Sequence, residues 1–236
     1  VQLPEPGLVP EPHTMQTLAV ARPRPGVVRM TSLLSSDCYR PGWDERAIAA
    51  HLRFPGVPTR DFEVRRFDAE RGILDVDFTP TGEKSIMRLW LDSVEVGTRT
   101  RIAGQDSDSF PNFVGGKRVL MFVDEASVPA AAALLENWPP SAQGTLWIDT
   151  AQPLDIAELP AADGVTVVSF HVEMGFDPLI TAARRVELDS STTVWAAGER
   201  SRMDAIRATC VAAGLPPNDI RVFGYWSAEL HCRQQA

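Results

Sequence analysis

Arg60, Arg65, Arg66 and Arg71 fall within one short run, "TRDFEVRRFDAERG". Clustered guanidinium groups suit a phosphate or carboxylate, because each offers a planar fork of donors that meets two oxygens at once. A solvated strand face is the alternative reading of the same cluster. Alternation along a strand would send Phe62, Val64 and Arg66 one way, and Asp61, Glu63 and Arg65 the other. Other chemistries lack their residues. "PTGEKS" and "VGGKRV" echo a phosphate loop without the G-x-x-x-x-G-K-[ST] spacing, and no G-x-G-x-x-G, G-x-S-x-G or His-x-x-x-His occurs. Four separated histidines define neither a triad nor a metal site.

The elements that must hold such a pocket divide the chain in two. Residues 1–13 contain Pro4, Pro6, Pro10 and Pro12 and read as a disordered tail. Over residues 14–108 the signals are mostly short strands. "TLAVARPRPGVVRMTSL" gives two runs around a Pro-Arg-Pro-Gly turn, "AIAAHLRFP" reads as a strand or short helix, and "DFEVRRFD" and "ILDVDFTP" flank a turn at Gly72. "EKSIMRLWLDSV" has helical spacing and "TRTRIAG" reads as a last strand, so this half is expected to be a small antiparallel β-barrel. Residues 109–116 are the expected linker.

Across residues 117–236 the texture changes. "RVLMFVD" is apolar throughout, as a strand buried on both faces must be. Ser127 and Pro129 then mark a helix start. "GTLWIDT", "VTVVSFH", "TTVWAAG" and "IRVFGYW" are further strands, with helices at about 177–187 and 201–213. This β/α alternation predicts an α/β doubly wound parallel sheet, whose ligand crevice lies beyond the carboxyl ends of the strands.

Composition bounds the function. The hydrophobic fraction of 44% and charged fraction of 23% are those of a globular chain, and no apolar run reaches membrane-helix length. The proline-rich start lacks the pattern of a secretion signal. A net charge of −8 argues against a general nucleic-acid binder. Three cysteines outside any CxxC suggest neither a disulfide framework nor a zinc site, so a reduced, cytoplasmic protein is expected.

Three stretches combine more specifically: "RDFEVRRFD" with its turn and "LDVDF", "VDEASVPA", and "VWAAGERSRMDAIR…GLPPNDIRVFGYW". In this order they resemble the siderophore-interacting protein family of ferredoxin-reductase-like flavoproteins. The resemblance implies a flavin-binding barrel joined to a domain for a nicotinamide or ferredoxin donor. It also implies a ferric-siderophore reductase in which FAD passes electrons to chelated Fe(III). Ferric siderophore would be the substrate, NADH, NADPH or ferredoxin the donor, and no protein metal ligand or membrane insertion is required.

The resemblance assigns residues as well. Arg60 stands where the flavin phosphate would be met, Phe62 where a tyrosine would lie against the flavin ring, and Glu63 where a hydroxyl would reach flavin N5. "TPTGEKS" replaces the family's "HGxGPAS" loop: Gly82 and Ser85 match, Lys84 could add a cation, Thr79 replaces the histidine and Glu83 the proline. Tyr225 and Trp226 are the terminal "GYW", followed by Ser227 where many members carry Lys or Arg. On the donor side Asp124 and Glu125 match an acidic pair, Gly198 and Glu199 a strand end, and Glu173 would favour NADH by repelling a 2′-phosphate. Ionised Glu63 cannot donate to N5, and Glu83 opposes a pyrophosphate. A flavin-free module that binds a siderophore, another small anion or a protein partner is therefore the competing function.

Overall fold

A computed structural model of the chain describes residues 13–24, 26–35, 51–52, 62–68, 70–79, 86–102, 111, 113, 116–151, 156–157, 159–170 and 177–227. Residues 1–12 of the expected 1–13 tail, most of the 109–116 linker, Arg60, Gly82, Glu83, Lys84, Ser85, Glu173, Cys38 and Cys232 lie outside the described residues, as do the side chains of Phe62 and Glu63, while His13 opens the first strand.

The first half is an antiparallel sheet of six strands: β1 (His13–Arg24), β2 (Val27–Leu34), β3 (His51–Leu52), β4 (Phe62–Asp68), β5 (Ile73–Phe78) and β6 (Arg99–Ile102), in the order β3-β4-β5-β2-β1-β6. The stretch expected as a strand or short helix over 47–55 contributes only the two residues of β3 to the described structure. Gly26 and Gly72 sit at φ +80° and +64°, where a side chain would be strained, and each ends a hairpin as the turn signals require. Asp68 Oδ1 accepts from the Glu70 and Arg71 backbone N–H groups and tightens the second turn. Alternation sends Val28, Met30, Leu74, Val76 and Phe78 inward, where α1 (Ile86–Ser93) closes the core with Met87 and Leu91. The buried Asp77 is balanced by a two-pronged contact from Arg29 at 2.6 and 2.7 Å.

The second half is a parallel sheet of β7 (Arg118–Asp124), β8 (Gln143–Asp149), β9 (Val165–Phe170), β10 (Thr192–Glu199) and β11 (Ile220–Trp226), in the order β11-β10-β7-β8-β9. Val119, Met121 and Val123 face α2 (Val128–Glu136), while Leu120 and Phe122 face α3 (Pro178–Arg185) and α4 (Arg200–Ala212). Both faces of β7 are thus buried, which explains its unbroken apolar run. The order of connections reverses between β7 and β10, so their carboxyl ends flank the topological switch point. Among the described residues no helix is long and apolar enough to cross a membrane.

Helix α2 joins the halves. Val128 to Leu135 are all buried, because one side lies on the parallel sheet and Ala133 enters the core of the antiparallel one. Its alanines let two sheets approach one helix. Strict alternation puts Arg65 on the face opposite Arg66, but a register shift between Val64 and Arg66 interrupts the pairing of β4 with β5. The Arg65 side chain is 13% exposed and ion-paired with Glu136, the last residue of α2. Arg65, one of the four clustered arginines, has its charge engaged across the interface. Arg66 and Arg71 are exposed, as expected for residues near the turn.

Removing Arg65 leaves Glu136 without its cation at the interface. Arg65→Ala should therefore lower stability by about 1–3 kcal/mol. A double-mutant cycle with Glu136→Ala, read by denaturant unfolding, should return a coupling of at least about 0.5 kcal/mol. Additive effects would show that the pair is a solvated contact.

Candidate functional site

Asp124 ends β7 at the switch point and is 2% exposed. A carboxylate so far from water requires donors. Its Oδ2 accepts from the Glu199 backbone N–H at 2.8 Å and from Trp226 Nε1–H at 3.0 Å. Both donors come from neighbouring strand ends. Gly198, one residue past the paired Ala197 and Val123, makes the approach possible: a Cβ there would lie 2.6 Å from Asp124 Oδ2 and 2.9 Å from Cγ. Trp226 reaches the same oxygen because β11 holds an extra residue, Gly198 pairing with Gly224 and Glu199 with Trp226. Gly224 has its own constraint, since a Cβ would stand 3.0 Å from Arg200 Cα at the start of α4.

Burial pushes the Asp124 carboxyl above its ordinary value, opposed in turn by the Glu199 N–H, the Trp226 indole, Arg202 and Ser127. Asp124 Oδ1 and Ser127 Oγ are buried and meet no hydrogen-bond partner of good geometry, although the hydroxyl is near enough to favour the charged carboxylate. Ser127 occupies the cap position of α2 without a side-chain capping bond, because a 3₁₀ turn over Glu125–Ser127 precedes the helix.

Glu199 is buried and caps α4, its carboxylate accepting from the Arg202 N–H at 3.0 Å and from the Ser201 hydroxyl. The Arg202 guanidinium lies between Asp149 at the end of β8, 2.5 Å away, and Asp177, which also caps α3 by accepting from the Ile180 N–H at 3.0 Å. Burial works against the guanidinium charge, yet the two carboxylates outweigh it and hold Arg202 above its ordinary value. Asp124, Asp149, Asp177 and Glu199 thus surround one cation that is already engaged. Among the described residues no cluster of His, Cys, Asp and Glu could hold a metal ion. Burial pushes the Cys210 thiol up to about 11, too high for a nucleophile at neutral pH.

Of the expected site residues, the structure brings together Asp124, Gly198, Glu199 and Trp226, which touch directly. Glu125 is exposed beside them, and Tyr225 stacks with Phe223, ring centroids 6.2 Å apart. Sequence reasoning singled out neither Asp177 nor Arg202. Asp177 had a local signal, an acidic residue before Pro178 at a helix start. Arg202 had none, since its partners lie 25 and 53 residues away.

An antiparallel sheet joined through a shared helix to a doubly wound sheet, with a polar crevice at the switch point, defines the ferredoxin-reductase-like class. The ferredoxin reductase of carbazole 1,9a-dioxygenase, solved also as its FAD apo form, shares this fold with a TM-score of 0.68 at 15% identity, over 91% of this chain and 69% of that one. The model of the siderophore-interacting protein family matches residues 116–229 of the chain. It is 29% identical over 222 residues to a ferric acinetobactin reductase of Acinetobacter baumannii, covering 90% of this chain and 77% of that protein. It also superposes on the structure of a siderophore-interacting protein from Acinetobacter baumannii with a TM-score of 0.79 at 27% identity, over 95% of each chain.

Two outcomes test the buried carboxylate. Gly198→Ala should destabilise by about 1–3 kcal/mol through overlap with Asp124, and the loss should shrink when Asp124 is also replaced by Ser. In Asp124→Asn one amide oxygen can still accept from both N–H groups, so stability at neutral pH should stay within about 1 kcal/mol of wild type or exceed it. Because folding raises the Asp124 pKa, its favourable contribution is fully present below the unfolded value of 3.8 and is lost as pH rises through the folded one. Melting temperature against pH should therefore show the Asn variant gaining on wild type across that window. A constant difference at every pH would refute the assignment.

Proposed function

We propose that this chain is a ferric-siderophore reductase: one electron converts chelated Fe(III) to Fe(II), and the siderophore then releases the iron. The alignment that carries this reading runs through both halves of the molecule to a ferric acinetobactin reductase. Hard oxygen ligands favour the smaller, more highly charged ferric ion, so reduction loosens the complex without cutting the ligand. The iron is substrate, which agrees with a site that needs no protein ligands for it.

FAD is the cofactor this reading requires. Thr79 Oγ1, one residue past β5, is buried and has no hydrogen-bond partner among the described residues. A hydroxyl orphaned there fits a group with phosphate oxygens. Arg60, Lys84 and Ser85 would hold the phosphates and Phe62 the ring. Bound FAD would supply a carrier that takes electrons in a pair and gives them singly. The protein's part is positional. Asp124 fixes the Trp226 indole at the crevice, and α2 keeps the two halves in register.

For a nicotinamide donor the crevice favours NADH. Arg202 is already shared by Asp149 and Asp177, so its guanidinium is not free for a 2′-phosphate, and the surrounding carboxylates repel one. Glu63 and Glu83 give the second reading, a flavin-free binding module, its separate footing. One experiment distinguishes them. The protein is titrated with FAD, followed by absorbance, and Fe(II) is then trapped during turnover of a ferric siderophore with NADH or NADPH. Saturable FAD binding, ferric reduction and a higher kcat/KM with NADH are expected. Arg60→Ala should weaken FAD binding by roughly tenfold, and Arg71→Ala, at an exposed position, should change it little. Siderophore binding without FAD binding would establish the second reading.

A further inference from the structure

Helices cover the parallel sheet unevenly on the face turned away from α2. There α4 lies over β10 and β11, and α3 over β7 and β8, so among the described residues no helix covers edge strand β9. A pocket of about 410 Å³ forms between α3 and that edge, lined by Trp147, Val168, Phe170, Ala182 and Arg185 among others. Sites for small organic ligands run from roughly 300 to 1,000 Å³. The Trp147 indole is held flat on Phe122, ring centroids 4.9 Å apart and planes 8° from parallel, so one wall is a rigid aromatic surface.

The polar groups are few. The Thr181 hydroxyl is committed to the Asp177 carbonyl at 2.7 Å. Arg185, at the last turn of α3, has no ion-pair partner among the described residues. With a net charge of −8 the molecule as a whole does not attract anions, so a simple anion gains little here. A ligand must gain from the apolar walls first and be selected by the single cation second. We propose that this pocket binds a small aromatic carboxylate, its ring against Trp147 and Phe170 and its carboxylate on Arg185. The pocket adjoins the Asp177 cap but is lined by none of the crevice carboxylates, and the proposal does not rest on the reductase reading.

The test uses the full chain, with 2-naphthoate and its neutral counterpart 2-naphthylmethanol followed by Trp fluorescence and calorimetry. Saturable binding of naphthoate is expected, about fivefold or more tighter than the alcohol. Arg185→Gln should remove that preference while Arg184→Gln keeps it. Ala182→Phe should fill the pocket and abolish binding of both probes. Melting curves verify that each variant is folded. Equal affinity for the two probes, a preference that survives Arg185→Gln, unchanged binding in Ala182→Phe, or no saturable binding would each overturn the proposal.

Discussion

A carboxylate stands at the junction of three strand ends, and the local structure follows from accommodating it. Asp124 is buried where β7, β10 and β11 finish, and a charge removed from water must be met by donors. Two arrive only because the chain makes room and bends: Gly198 omits the atom that would collide, and the extra residue in β11 turns Trp226 inward. Three motifs distant in sequence, "VDE", "AGE" and "GYW", therefore meet in one contact. A change in any one is felt by the other two.

The second constraint is α2. A helix buried along nearly its whole length packs on both sheets, with Ala133 in the core of one and Val128, Ala131, Leu134 and Leu135 in that of the other. The strand that carries Phe62 and Glu63 is tied to the same helix by Arg65 and Glu136. Asp124, before the first turn of α2, and Arg65, against its last residue, are thus fixed to opposite ends of one rigid element. Two binding surfaces on different sheets can be held at a set distance in this way without a direct contact between them.

What could be read from the sequence follows the range of the interactions. The run "RVLMFVD", the Ser127–Pro129 start and the glycine turns are local signals, and the elements they predict are present, α3 and α4 lying within two residues of their expected limits. The resemblance assigned Asp124, Gly198 and Glu199 to the donor side and Trp226 to the cofactor site, and did not say that they touch. Alternation alone left open where Arg65 points, because a one-residue shift in register reverses a side chain's direction and the pattern does not mark such a shift. The Asp149–Arg202–Asp177 bridge was invisible for a related reason. It is created by three crossover connections that converge in space, and its residues look like ordinary helix and strand ends.

The choice of aspartate at position 124 carries information beyond its hydrogen bonds. An asparagine oxygen could accept both N–H groups and would avoid burying a charge. What the carboxylate adds is the charge itself, and burial makes that addition unfavourable on its own. Arg202 is the cation that feels it. Arg202 in turn holds Asp149 from the β8 end and Asp177 from the cap of α3. Its presence draws in two segments that would otherwise present mutually repelling carboxylates. The negative charge under Gly198 thus helps keep a guanidinium at the centre of the crevice, and that guanidinium organises the rim. Stability alone does not require the acid over the amide, so what the acid adds is its charge in the crevice, where Arg202 is the cation it meets.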